Sequence, residues 1–366
     1  MILIGFYLIL FIYAIFIVAF IYGFNRMKST FSDNKQKTSF SIVIPFRNEA
    51  ENLPNLLQSL SCLDYPKELI EVILVDDDSD QEFSMTNYEL SIILIKNIRN
   101  SNSPKKDAIN TAIAIAKKEW IITTDADCLV QSNWLKIIDS YIQTENKRMV
   151  AAGVKLLSKN GFLYEFQNLD FLSLQGVTIG SFGIKKPFMC NGANFAYEKS
   201  FFKELNGFQG NSEIASGDDV FLLQKAIQYE PQAVGFCKNA LSVVFTKSEL
   251  SWKALFFQRV RWASKSSVYV DWLSRSLAIL VFLTNLFFVI GFCLWTMDLF
   301  AYRNLLLYFA IKFLVDCVII LQSAEFFNQR FRYLLISSFI YPFFSSAVAF
   351  YSLFGKYEWK GRTFKS

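Results

Sequence analysis

The distribution of apolar residues constrains this chain more than any other feature. Residues 2–24 form an almost unbroken apolar run long enough to span a bilayer, and three more runs follow, at 277–297, 305–322 and 334–354. The 53% hydrophobic content and mean hydropathy of +0.28 are concentrated at these two ends. The chain therefore reads as a membrane protein with a globular middle. The first run lacks the basic lead and small-residue exit of a signal peptide. Arg26 and Lys28 follow it, which makes it a retained anchor with the next domain in the cytoplasm.

Charge and cysteine usage narrow the classes further. A net charge of +5 with no long basic run argues against nucleic acid as a partner and suits an anionic lipid surface better. Six cysteines are scattered without C-x-x-C spacing, which points to reduced thiols and no structural zinc. The sequence contains no histidine. Acid–base chemistry must then fall to carboxylates, Lys, Tyr or Cys.

The middle alternates short β-branched runs with amphipathic segments. Strands are expected at 40–45, 71–75, 92–95 and 121–129, with helices at 50–60 and 104–117, the second starting on a proline. Such alternation argues for a mostly parallel α/β sheet. Beyond it lie a strand and an aromatic-rich helix in 149–183, the stretch CNGANFAY at 190–197, a helix from Asp218, and short strands near 233–236 and 241–245. Residues 251–270 mix aromatics with Lys253, Arg259, Arg261 and Lys265, as in a helix at the headgroup level. The expected division is an anchor at 1–24, a linker at 25–39, a cytoplasmic catalytic domain at 40–250, an interfacial helix at 251–272, and a membrane region with a basic tail at 273–366. Lys312 and Asp316 sit four apart in the third span, to pair along the helix or to face its neighbours.

Topology sets two rules against each other. One span before the domain and three after it put the tail outside, yet Lys356, Lys360, Arg362 and Lys365 favour the inside. Either a C-terminal segment is re-entrant or the charge rule is broken.

The run IITTDADCL ends in Asp125 and Asp127. In an extended backbone, residues two apart point the same way, so both carboxylates can face one Mg²⁺ or Mn²⁺ that a diphosphate shares. A surface turn is the plainer reading. The first strand ends in Pro45-Phe46-Arg47-Asn48-Glu49, not in the glycine-rich turn of a dinucleotide site. The second runs into Asp76-Asp77-Asp78-Ser79-Asp80, acids placed to accept from a base or ribose. Lys105 and Lys106 stand at a helix start, where they can reach a diphosphate. Asp218 and Asp219 open another helix, where the dipole favours them and where one could act as general base. Gln258 and Arg261 share a helical face, beside Trp262, with Arg261 suited to a phosphate.

Taken in order, PFRNEAEN, VDDDSD, TDADC, SGDD and QRVRW resemble the family 2 glycosyltransferases of GT-A fold, over residues 41–262. The resemblance implies an α/β fold with a nucleotide-sugar-binding sheet, helices on both faces, an N-terminal and about three C-terminal transmembrane helices. By it, Asp77 meets the base of the nucleotide sugar and Pro45 and Glu49 line its pocket, beside the Asp76, Lys105 and Lys106 already read as donor-side residues. Asp125 contacts ribose or metal, and Asp127 the metal, Mg²⁺ or Mn²⁺. Asp219 matches the base of a Glu-Asp pair, although Asp218 replaces the glutamate and leaves two candidates. Gln258, Arg261 and Trp262 match the acceptor and diphosphate element, 190–197 the acceptor-side strand, and the ending WKGR that of some lipid-glycosylating relatives. The implied setting is a bacterial inner membrane.

The expected activity is inverting transfer from a nucleoside-diphosphate sugar, UDP preferred, to a hydroxyl of a membrane lipid. A processive polysaccharide synthase is the enzymatic alternative, disfavoured by the few spans available for a channel. A non-catalytic membrane scaffold with a nucleotide-binding fold is the alternative of another class. A sugar nucleotidyltransferase lacks its glycine-rich triphosphate loop.

Overall fold

The computed structural model describes residues 2–29, 35–81, 83, 88–212, 214, 217–264, 271–359 and 362–365. In chain order the first elements are α1 (Ile2–Arg26), β1 (Phe40–Phe46), α2 (Leu53–Ser61), β2 (Ile70–Asp76), β3 (Ile92–Lys96), α3 (Pro104–Ile115) and β4 (Trp120–Thr123). Next come α4 (Trp134–Glu145), β5 (Met149–Ala152), β6 (Val154–Leu156), α5 (Phe162–Gly183), β7 (Phe195–Glu198), α6 (Lys199–Glu204) and α7 (Asp218–Tyr229). The last are β8 (Val234–Cys237), β9 (Val244–Thr246), α8 (Trp252–Ala263), α9 (Trp272–Thr296), α10 (Tyr302–Phe326), α11 (Leu334–Phe354), β10 (Lys356–Trp359) and β11 (Arg362–Lys365). They fall into two compact units. Lys28–Leu157 with Met189–Lys247 make an α/β unit, and Met1–Met27, Ser158–Phe188 and Ser248–Ser366 make a helical one.

The α/β unit is built on a seven-stranded sheet in the order β3-β2-β1-β4-β7-β5-β8. β3, β2, β1 and β4 are mutually parallel, whereas β7 runs antiparallel to both of its neighbours. Ile42, Val43, Ile44, Val72, Ile73, Leu74, Ile121 and Ile122 are all fully buried, which is why these strands read as continuous apolar runs instead of alternating ones. Crevices at the carboxyl ends of such strands are where open α/β sheets hold ligands. A small parallel sheet pairs β6 with β9.

Two local expectations shift. The helix foreseen over 50–60 begins at Leu53, because Glu49–Asn52 close a turn and Pro54 suits the first helical turn. The strand foreseen over 241–245 begins only at Val244, since the Asn239 side chain accepts from the Leu241 N–H and winds Ala240–Ser242 into a 3₁₀ turn.

In the helical unit, α1, α9, α10 and α11 are long and apolar enough to cross a membrane. Lys312 donates to Asp316 at 2.6 Å, and Tyr13 of α1 donates to the same carboxylate at 2.7 Å, so the pair serves both within α10 and between helices. Residues Ser158–Phe188, foreseen inside the catalytic domain, pack instead with these helices. The cause is a stripe of small residues on α5: a Cβ on Gly180 would strike the Phe20 backbone of α1, and one on Gly23 would strike Gly180. Of the interfacial segment expected at 251–270, residues 265–270 lie outside the described residues, as do Ser216 of SGDD and Lys360 and Gly361 of the tail.

Candidate active site

The turns after β1 and β2 knit together at the carboxyl edge of the sheet. Pro45 sits opposite Val75 in the β1–β2 register. Arg47 donates to the Asp77 carbonyl at 2.9 Å, and Asn48 and Asp80 exchange two hydrogen bonds, 2.8 and 2.9 Å. Asn48 and Asp78 take φ values of 54° and 64°, a left-handed geometry that short polar side chains tolerate. Asp76 accepts from the Ser79 N–H and hydroxyl at 3.0 and 2.6 Å, and Glu49 accepts from the Asn52 amide. The buried Asp77 carboxylate takes Arg99 bidentately at 2.7 and 3.0 Å and Asn97 at 2.7 Å. A ligand reaching Asp77 would share it with these donors.

The aspartate pair does not sit on an extended strand as foreseen. β4 stops at Thr123, and the Cys128 N–H donates to the Asp125 carbonyl at 3.0 Å, closing a turn that contains Ala126 and Asp127. Aspartate is at home in such turns. Leu129 and Phe245 then exchange backbone hydrogen bonds of 2.8 and 2.9 Å, which ties the turn to β9. That bridge brings the Thr246 hydroxyl to 3.4 Å from Asp127 Oδ2.

Lys105 links this turn to α7. Its ammonium donates to Asp125 Oδ1 at 2.8 Å and lies 3.5 Å from Asp218 Oδ2. Burial opposes that charge, but the carboxylates of Asp125, Asp218 and Asp219 outweigh it and hold the ammonium above the usual lysine range. Asp107 fixes the approach by accepting from the N–H groups of Asn100 and Ser101 at 3.0 and 2.8 Å. Lys106 has a different task. It is only 1% exposed, donates to the carbonyls of Asn211 and Ile214 at 2.6 and 2.9 Å, and lies over the Phe221 ring, so it pins the segment leading to α7.

Asp218 and Asp219 stand in the first turn of α7, where the dipole favours acids. Asp219 Oδ2 accepts from the Gly192 N–H at 2.9 Å, and the Thr123 hydroxyl donates to the Gly192 carbonyl at 2.6 Å. Gly192 thus joins the end of β4 to the acidic helix start. In one unit the fold gathers Asp125, Asp127, Lys105, Asp218 and Asp219. Hard oxygen donors at Asp125 and Asp127 fit Mg²⁺ or Mn²⁺. Among the described residues no set of three His, Cys, Asp or Glu could hold a metal, so such an ion would draw its remaining oxygens from ligand and water.

In the helical unit, α8 carries Gln258, Arg261 and Trp262. Gln258 donates to Glu249 at 2.6 Å and accepts from Arg259. Arg259 Nε donates to the buried Asp170 of α5 at 2.5 Å, and its guanidinium lies 4.2 Å from the centroid of the Trp262 ring. Arg261 is half-buried in the last turn.

Residues 41–205 match the family model for glycosyl transferase family 2. The chain carries a family 2 glycosyltransferase domain. Among curated relatives, it is similar to the human polypeptide N-acetylgalactosaminyltransferase 10, 26% identical over 49% of this chain and 33% of that protein. It is also similar to poly-beta-1,6-N-acetyl-D-glucosamine synthase of Staphylococcus epidermidis, 25% identical over 61% of this chain and 53% of that one. The chain thus spans a third to about half the length of these relatives. Among solved structures, the mannosyltransferase PcManGT from Pyrobaculum calidifontis, in complex with GDP-Man and Mn²⁺, matches with a TM-score of 0.60 and 16% identity over 96% of this chain and 98% of that one. The fold is of the GT-A type.

The matched family 2 segment holds β1 through β7, and with them the Asp77 and Asp125–Asp127 clusters. Reasoning from sequence missed Arg99 and Asn97, whose only sign is a polar stretch after β3. It also missed Thr246, which no motif marks. Asp170, an acid in an aromatic-rich stretch, was the available sign of the Arg259 pairing.

Proposed function

We propose that the chain is an inverting glycosyltransferase that moves a sugar from a nucleoside-diphosphate sugar, UDP preferred, to a hydroxyl of a membrane lipid. The observation that carries the reading is Lys105, whose one ammonium faces both Asp125 and Asp218. It ties the acids suited to a metal to those suited to a base.

In this reading Asp219, with Asp218 the alternative, takes the proton of the acceptor hydroxyl. The acceptor oxygen bonds to the anomeric carbon, and the bond from that carbon to the diphosphate oxygen breaks on the opposite face. Asp125 and Asp127 would hold Mg²⁺ or Mn²⁺, whose charge would neutralise the departing diphosphate. Lys105 adds a fixed positive charge there, and Arg261 with Gln258 and Trp262 serves the diphosphate and acceptor. Pro45, Glu49, Asp76 and Asp77 line the nucleotide. Lys106 acts by holding the segment before α7.

The membrane helices support a lipid-borne acceptor, reached from the cytoplasmic side. A polymer-forming reaction is the second reading, favoured by the likeness to the staphylococcal synthase. Membranes containing the chain or its Asp219→Asn variant, given radiolabelled UDP-sugars, decide by product size on a thin-layer plate. One labelled lipid from the native chain alone is expected. A ladder would favour the synthase, and identical plates for the two chains would leave a non-catalytic scaffold.

A further inference from the structure

Given the role proposed above for Gln258, Arg261 and Trp262, we infer that Asp170 of α5 and Tyr341 of α11 are positioning residues: through Arg259 they fix the rotation of α8, and so the direction in which Arg261 leaves that helix. Every residue involved belongs to the helical unit.

α8 has an apolar seat. Val260 packs with Val348 of α11, and Phe256, Phe257, Ala263 and Phe344 pack against that pair. Burial of apolar area has no preferred direction, so these contacts hold the helix down without fixing how far it is turned. Hydrogen bonds to charged groups do have a direction.

α5 supplies such bonds at two positions one turn apart. The Gln167 side chain accepts from the Glu249 N–H at 2.8 Å and donates to the Glu249 carbonyl at 3.1 Å, while the Glu249 carboxylate takes the Gln258 amide at 2.6 Å. Asp170 Oδ2 takes Arg259 Nε at 2.5 Å, and Arg259 in turn donates to Gln258 Oε1. Both ends of the Gln258 amide are thereby held. From α11, the Tyr341 hydroxyl donates to the same Asp170 carboxylate. The Tyr341 ring centroid lies 5.9 Å from the Lys312 ammonium of α10, which Asp316 and, through it, Tyr13 of α1 keep in place. Gln167, Asp170 and Arg259 are all buried, so water does not compete for these bonds.

One ionic contact is enough to set an angle. Successive residues of an α-helix are about 100° apart, so Arg261 emerges roughly 160° from Arg259. With Arg259 turned toward α5, Arg261 is turned away from it. Trp262 stays beside the guanidinium, 4.2 Å from ring centroid to charge, with the ring of Phe171 on α5 6.3 Å from its own. A buried ion pair returns little net stability over apolar groups of the same size, and fixing one arrangement among several is the best-attested use of such pairs.

The test makes two measurements on the full chain. In the first, Arg261→Cys is labelled with a water-soluble maleimide and read by peptide mass spectrometry, alone and combined either with Tyr341→Phe or with Arg259→Met and Asp170→Leu together. The labelling rate at position 261 should change about threefold or more in both combinations while the melting temperature stays within a few degrees. An unchanged rate would overturn the inference whatever the turnover. In the second, transfer from radiolabelled UDP-sugar should fall about tenfold in the Arg259→Met, Asp170→Leu chain despite its restored stability, and about threefold in Tyr341→Phe, since misplacing a reacting group costs rate. Neither loss should add to that of Arg261→Ala, because residues that act through one another are not additive. Losses that multiply with Arg261→Ala would overturn the action through Arg261. Altered labelling together with full transfer by Arg261→Ala would instead overturn the part given to Arg261 in the reaction, with the hold on α8 still supported.

Discussion

The Gly192 N–H donates to Asp219 Oδ2 at 2.9 Å, and a Cβ on Gly192 would come within 3.0 Å of Asp218 Oδ2. The residue is glycine because two carboxylates and a backbone meet there. Gly192→Ala should press on the Asp218 carboxylate, 3.0 Å from the added methyl, and lower turnover about tenfold, as misplacing a reacting group does. Thr123→Val, which frees the Gly192 carbonyl, should act in the same direction more weakly, and Thr123→Ser should restore activity. Turnover of labelled donor measured beside the melting temperature separates this from unfolding: a loss of turnover that merely tracks a loss of melting temperature would sink the assignment.

The metal role proposed for Asp125 and Asp127 makes a direct prediction. Chelation by EDTA should abolish transfer, and Mn²⁺ or Mg²⁺ should restore it. Asp127→Asn should resist that rescue. Thr246→Val removes only the hydroxyl 3.4 Å from Asp127, so it should raise the Mn²⁺ concentration for half-activity about tenfold while leaving the maximum rate near normal. Titrating Mn²⁺ against activity of the three chains checks this; full activity after exhaustive chelation would contradict it.

The strands at the heart of the sheet were legible because a run buried on both faces leaves an uninterrupted β-branched signature, as in Phe40–Phe46 and Ile70–Asp76. The apolar helices were legible from length alone. What periodicity could not carry was the turn at Asp125–Cys128, since it depends on Leu129 pairing with a strand more than a hundred residues away. The association of α5 with α1 was hidden for a related reason. Glu165, Gln167, Asn168 and Asp170 make α5 too polar to read as a membrane-type helix, and only the glycines at 176, 180 and 183 announce a close-packed face. Lys105 and Lys106 show the limit of motif reading: adjacent in sequence, one faces carboxylates and the other holds a loop.

Arg259 and Asp170 form a buried ion pair, with side-chain exposures of 8% and 5%. Removing one partner strands the other charge, which costs about 3–5 kcal/mol in other proteins, whereas replacing both with apolar groups is often neutral. Arg259→Met and Asp170→Leu should therefore each lower the unfolding midpoint in detergent sharply, and the double variant should recover most of the loss. Because the guanidinium also stacks on Trp262, Arg259→Lys should keep the charge yet recover only part of the stability. Simple additivity of the two single losses would refute the pairing.

The thiols give a prediction with a definite sign in pH. Burial pushes the Cys237 thiol up to about 12 against the opposing hydrogen bond from Ser242, whereas an unfolded cysteine titrates near 8.5. Between those values the unfolded chain binds fewer protons than the folded one at this position, so stability falls as pH rises through that window. Below about 8.5 both states keep the proton and Cys237 contributes no slope. Cys237→Ala should lower the melting temperature at neutral pH through the cavity it leaves, yet flatten its decline between about pH 9 and 11. The native thiol should also escape N-ethylmaleimide at pH 8 while exposed Cys62 reacts, with Cys237 labelled only after denaturation. Peptide mass spectrometry after brief labelling reads both sites at once, and rapid modification of Cys237 in the folded protein would show that β8 is not covered as described.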